Sequence, residues 1–260
     1  MPYGGDLSVP AVSVENREGG GVFLFVCEHA ANVFPDEFGT LGLDEGARRA
    51  HIAWDPGALG LARALARRTD STLVHAGVSR LIYDCNRPPQ AEGAMPARSE
   101  VYDIPGNQRV SPQDRLRRTE AVYLPFHNRL HAEIARRLAL GRPTVMVTVH
   151  SFTPVWYGKP RAVEFGVIHD ADPGLAQAVT AAARATGWTA AALNEPYSAA
   201  DGVTHTLRLH ATPYGLPNVM LEIRNDLIAT PEAEATMAAR LAPILETALA
   251  TVSADGRGAA

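Results

Sequence analysis

The chain reads as an α/β protein with its ligand site at the carboxyl ends of buried strands. Three observations predict this. Short, nearly continuous apolar runs alternate with Ala/Leu/Arg-rich stretches of helical period, as they do where a sheet is covered on both faces. Several of those runs end directly in His, Glu or Arg: Gly21–Cys27 is followed by Glu28 and His29, Thr144–Val149 by His150, and Asn218–Ile223 by Arg224. Finally, 46% of the 260 residues are hydrophobic and 20% charged, enough apolar material for one sizeable core.

Residues 1–20 mix Gly, Pro and charge without periodicity and are expected to form a loose arm, and 253–260 a disordered tail. The intervening 21–252 is expected to be a single catalytic α/β domain. Strands are predicted at Gly21–Cys27, Thr72–Ala76, Leu81–Cys85, Thr144–Val149, Glu164–Ile168 and Asn218–Ile223. Helices are predicted at Asp55–Arg68, Asp114–Leu140, Pro173–Thr186 and Pro231–Val252, with Asp70 and Gly187 where two of them should stop. Pro125 should kink or break the second, because it removes an N–H and crowds the preceding turn. Arg87–Pro112 carries Pro, polar and charged residues with no period, and is expected to fold over the site.

The net charge of −4 gives no field that would draw in nucleic acid or acidic lipid. No apolar run is long enough to span a bilayer and no secretion signal is evident, so a cytoplasmic protein with neither membrane nor nucleic-acid partners is expected. Cys27 and Cys85 lie inside apolar runs and make neither a disulfide framework nor a thiolate site. Any metal must then be held by nitrogen and oxygen.

Two histidines and one carboxylate suit Zn²⁺ and leave a coordination position free. His29 and His150 are the first two candidates. Asp55, at the start of a helix in Ala53-Trp54-Asp55-Pro56-Gly57, is the preferred third, although Asp before Pro is also a standard helix cap. Glu28 and His51 compete with it; in an extended strand Glu28 would point away from His29. The remaining six histidines receive no metal role. Asn86 and Arg87, stiffened by Pro88 and Pro89, make a carboxylate receptor through a guanidinium fork and an amide. Glu222, in an otherwise apolar strand, should have a raised pKa and could serve as general base, unless Arg224 or Arg87 neutralises it.

These residues resemble a known family. Cys27 to Asn32, Trp54 to Ala58, Arg80 to Pro89, His150-Ser151-Phe152 and Leu221 to Leu227 together are similar to N-formylglutamate amidohydrolases, in order over about residues 21 to 228. The resemblance implies a zinc-exopeptidase-like (phosphorylase/hydrolase-like) fold, a three-layer α/β/α sandwich around a mixed, mostly parallel sheet. It also implies Zn²⁺-dependent hydrolysis of N-formyl-L-glutamate to formate and glutamate, a step of histidine degradation. The zinc carboxypeptidases of that fold place Glu three residues after the first His, where this chain has Asn32. The opening Cys-Glu-His-Ala-Ala-Asn also departs from the Pro-His-Ser-Gly form associated with the histidine-pathway enzyme, so another N-acyl amino acid is an open alternative substrate. A diacid substrate needs two cationic anchors: Arg87 is expected to be one, with Arg80, Arg161 and Arg224 candidates for the other. Two further readings stay open: a carboxylate-binding protein without turnover, and a zinc amidase or peptidase acting on a different substrate.

Overall fold

The computed structural model describes residues 7–257, with side chains to residue 254. The outermost parts of the expected arm and tail lie outside the described residues. The strands are β1 (Val12–Glu15), β2 (Phe23–Cys27), β3 (Thr72–Ala76), β4 (Arg98–Ser99), β5 (Tyr102–Asp103), β6 (Val145–Phe152), β7 (Val155–Trp156), β8 (Lys159–Pro160), β9 (Phe165–Ile168), β10 (Ala191–Leu193) and β11 (Asn218–Arg224). The helices are α1 (Glu45–Arg49), α2 (Ala58–Arg68), α3 (Pro112–Arg118), α4 (Leu124–Ala139), α5 (Gly174–Ala185) and α6 (Pro231–Arg257).

Seven strands form one sheet in the order β1-β3-β2-β6-β11-β9-β10. The four central strands β3, β2, β6 and β11 run parallel, β1 joins antiparallel at one edge, and β9 reverses direction beside β11. This is the mixed, mostly parallel sheet that was expected. Alternate side chains of each strand enter two cores. On one face Phe25, Val147 and Leu221 pack with α2, α5 and α6; on the other Leu24, Met146 and Met220 pack with α4 and the long connections. Both faces are therefore covered, which is why β2, β3 and β9 are buried at every position.

The predictions for Thr72–Ala76 and the cores of β2, β6, β9, β11 and α2 hold, with shifted ends. Others are corrected. Leu81–Cys85 is not a strand but a series of tight turns, in which Ile82 N donates to Ser79 O and Arg87 N to Asp84 O. Its apolar residues Leu81, Ile82 and Tyr83 are buried in the second core, and a short buried run carries the same hydrophobicity in either conformation. Within the expected arm, residues 12–15 pair with β3, and Glu15 joins Arg63 and His75 in an ion-pair cluster. Helix α6 runs through residues 253–257 of the expected tail. Asp114–Leu140 divides into α3 and α4 around a π-turn at Thr119–Tyr123. Pro125 lies at the start of α4, and the wider turn before it accommodates the donor the ring lacks. The 87–112 connection holds the small β4–β5 hairpin and is pinned from inside by Asn107, whose amide donates to Leu81 O and whose oxygen accepts from buried Arg118. Ser99 of that connection reaches the crevice described next.

Candidate active site

A crevice of about 300 Å³ opens over the ends of β2, β6 and β11. Three of its walls come from sequence neighbours of those strands. β2 stops at Cys27, and a turn carries Glu28 and His29; Asp55 N donates to His29 O at 2.9 Å, tying the approach to α2 onto that turn. The helix begins only at Ala58, with Gly57 as its cap in the left-handed region (φ 79°). A side chain at Gly57 would lie 2.3 Å from Ile228 O, so glycine is required for both reasons. The capping alternative for Asp55 is thus not realised. Its carboxylate instead turns into the crevice.

Asp55 Oδ2 lies 3.2 Å from His29 Nδ1 and 2.9 Å from His150 Nδ1, and the two nitrogens are 3.1 Å apart. All three residues are buried. The outer ring nitrogens fix the tautomers. His29 Nε2 faces Asp84 Oδ1 at 2.8 Å, and His150 Nε2 faces Glu28 Oε2 at 3.2 Å with poorer alignment. If each Nε2–H points at its carboxylate, both Nδ1 lone pairs and an anionic oxygen converge on one another, an arrangement that repels itself without a cation between them. Their mutual separations match the roughly 3.3 Å between ligands of a tetrahedral ion bound at 2.0–2.1 Å. Charge points the same way. Glu28, Asp55 and Asp84 are buried together, and among the described residues Arg80 is the one arginine ion-paired with them, 2.7 Å from Asp84 and 3.3 Å from Asp55. The residues present fit a divalent metal.

The titration tendencies of the site without a metal follow from these neighbouring charges. Burial alone would raise the Asp55 and Asp84 carboxyls. The imidazole charges for Asp55, and Arg80 and His29 for Asp84, hold both far below the usual range. Burial would lower His150, but the negative charges of Glu28 and Asp55 pull it well up instead.

Glu222 pairs in register with His150 across β11 and β6 and lines the same crevice. One of its oxygens is buried with no hydrogen-bond partner. Burial, reinforced by Asp55 and opposed by the histidines and Arg80, pushes its pKa up to about 7. Neither arginine considered as its neutraliser pairs with it. Arg224 faces Asp226 at 2.8 Å, and Arg87 donates to the carbonyls of Asn86 and Gly202.

The other sequence candidates separate clearly. Arg80 and Arg87 line the crevice, and Arg87 has no carboxylate partner among the described residues, whereas Arg80 is taken up by Asp55 and Asp84. Asn86 is buried and lines the crevice; its Nδ2 donates one hydrogen to Val203 O, and its Oδ1 accepts from Thr206 N and Oγ1. It anchors the 203–206 segment. His51 sits at the rim, 2.9 Å from Glu100, away from the donor cluster. Sequence reasoning missed Asp84 and Tyr197. Asp84 was hidden inside a run read as strand. Tyr197 lies in a polar stretch whose placement depends on Gly166, where a Cβ would stand 2.1 Å from Glu195 O. The bare glycine lets the segment after β10 cross the sheet towards Glu222.

A half-enclosed crevice, with an unpaired carboxylate poised near neutrality facing a cation-seeking cluster, belongs to the class of α/β hydrolytic enzymes. Comparison with known proteins defines it further. The family model for N-formylglutamate amidohydrolase matches residues 22–229, and the chain belongs to that family of amidohydrolases. A gene product of Agrobacterium tumefaciens of known structure is 51% identical, with a TM-score of 0.92 over 94% of this chain and 97% of that one. The N-formylglutamate amidohydrolase of Ralstonia eutropha JMP134 shares the fold at 18% identity, with a TM-score of 0.66 over 96% of this chain and 100% of that one. No match was found among curated proteins.

Proposed function

We propose that this amidohydrolase cleaves N-formyl-L-glutamate to formate and glutamate, using a divalent metal, zinc by preference, held by His29, Asp55 and His150. The observation that carries the reading is the convergence of two imidazole lone pairs and a carboxylate oxygen at 2.9–3.2 Å, with Glu222 beside them. A metal bound there would supply a Lewis acid that eases deprotonation of a water. Glu222 acts as general base: with a pKa near 7 it takes a proton from the attacking water and can return it to the departing amine. Asp84 and Glu28 hold the imidazoles with their Nδ1 atoms inward. Arg80 restrains Asp55 and Asp84 and offsets their charge. Arg87, whose guanidinium is hydrogen-bonded among the described residues only to carbonyl oxygens, anchors a substrate carboxylate at the rim.

Formate release from N-formyl-L-glutamate, measured on metal-loaded and chelator-stripped protein, tests the proposal. Turnover that needs the metal and drops about 10²–10⁴-fold in Glu222→Gln, with metal content unchanged, is expected. Metal-independent turnover, or near-normal rates in the variant, would remove the mechanism.

A further inference from the structure

Arg161 is held in an unusual way behind the aromatic side of the crevice. Its guanidinium lies over three aromatic rings, 5.4 Å from the centroid of Phe152, 5.0 Å from Trp156 and 5.1 Å from Tyr197. All three rings line the crevice. Its polar contacts are Tyr197 Oη at 3.0 Å and a long approach to Thr153 O at 3.5 Å, and no carboxylate of the described residues forms an ion pair with it. The ring faces favour the cation but do not neutralise it.

Tyr197 completes the arrangement. Because Arg161 is purely a donor, the phenol oxygen is the acceptor in their 3.0 Å bond, and the hydroxyl's own hydrogen must point elsewhere. Among the described residues the hydroxyl makes no second hydrogen bond, and Tyr197 faces the crevice. A hydroxyl polarised by a guanidinium behind it, with a free hydrogen in front, is a receptor for an anion.

The other cations near the crevice do not compete for this role. Arg80 is occupied by Asp55 and Asp84, and Arg224 by Asp226, with a further bond to Arg161 O. Arg87 is hydrogen-bonded to Asn86 O and Gly202 O, and not to Tyr197.

We propose that Tyr197, oriented and polarised by Arg161, binds the side-chain carboxylate of the substrate and makes the enzyme selective for N-acylated dicarboxylic amino acids. This rests on the amidohydrolase reading above and adds to it a residue pair that sets specificity. The aromatic walls shield the bound carboxylate from water, and Arg87 is left for the second carboxylate.

The test compares kcat/KM for N-formyl-L-glutamate and N-formyl-L-glutamine, which differ only in the charge of the side-chain end. The wild type is expected to prefer the diacid. In Tyr197→Phe, which keeps the ring and its packing, the preference ratio should fall about tenfold; in Arg161→Met it should fall about a hundredfold, with partial recovery in Arg161→Lys. Equal losses on both substrates, or an unchanged ratio, would overturn the proposal. So would a wild type that treats the two substrates alike, and the amidohydrolase reading would survive that result. If neither substrate is turned over, the N-formylglutamate reading fails. Calorimetric binding of L-glutamate then decides the anchor: weaker binding in Tyr197→Phe sustains it, and equal binding removes it.

Discussion

Asp84→Asn isolates what the outer carboxylates contribute. Asp84 Oδ1 accepts from His29 Nε2 at 2.8 Å and from Asn86 N at 2.9 Å, while Oδ2 accepts from Arg80 at 2.7 Å. The amide that replaces it can still accept from His29 and Asn86 through its oxygen. Its NH₂ group then meets the guanidinium of Arg80 donor to donor. Two effects follow. The loss of a charged hydrogen bond in a buried setting costs about 1.5–3 kcal/mol of stability in the metal-free protein. The weaker acceptor leaves His29 less firmly oriented and less basic, which lowers metal affinity about 10–100-fold. That range corresponds to about 1.4–2.7 kcal/mol, and the stabilisation conferred by a fixed saturating metal concentration should shrink by the same amount. Competition against a chromogenic chelator gives the affinity, and denaturant unfolding with and without metal gives the linked stability. A variant that binds zinc as tightly as the wild type would refute the argument that Asp84 fixes the His29 tautomer for a metal.

Glu28→Gln should weaken zinc binding by about tenfold through His150; unaltered affinity would show that the 3.2 Å contact does not orient that ring. The buried pair His127 and His210 predicts acid sensitivity. Burial, helped by neighbouring histidines, lowers them to about 3 and about 4, while the unfolded chain titrates near pH 6.5. The unfolded state therefore binds more protons as pH falls below about 6.5, and stability declines at up to about 2.7 kcal/mol per pH unit from these two groups. Denaturation across pH 7 to 4 should show a shallower decline in His210→Gln, and an unchanged slope would dissociate the pair from it. Gly166→Ala should cost about 1–3 kcal/mol by forcing Glu195 O away from a Cβ it would meet at 2.1 Å. It should also impair use of the diacid, since the same segment carries Tyr197; full stability and activity would mean that the crossing chain relocates freely.

The features legible in the sequence were those set by local chemistry. Strands such as Phe23–Cys27 and Asn218–Arg224 announce themselves by apolar runs that end in polar residues, and these ends deliver His29, His150 and Glu222 to one crevice. Asp55 was readable as a candidate, but whether it capped α2 or faced the histidines depended on Gly57 taking the cap position. What escaped was non-local. Leu81–Cys85 is apolar because the second core buries it, and the same composition would serve a strand, so the turns that aim Asp84 were invisible. The edge strand at residues 12–15 is short and half-exposed, with little periodicity to distinguish it from a loose arm. The sequence presents Asn86 as a carboxylate ligand but does not reveal Val203 and Thr206, 117 and 120 positions away, as further partners of its amide.

The reversal of β9 beside β11 has a consequence for how such an enzyme can change. In an all-parallel sheet, only segments that follow strands would meet at the working edge. Because β9 runs the other way, the stretch before it, with Arg161, arrives at that edge as well. On the roles proposed above, the metal-holding and proton-transfer groups lie at the ends of β2, β6 and β11 and ahead of α2, whereas the pair proposed to read the side-chain carboxylate lies on the excursion between β6 and β9 and the crossing after β10. On that proposal, substitutions in the second set would retune which acyl amino acid is admitted while the proton-transfer apparatus stays intact, a division of labour through which new preferences would arise without rebuilding the catalyst.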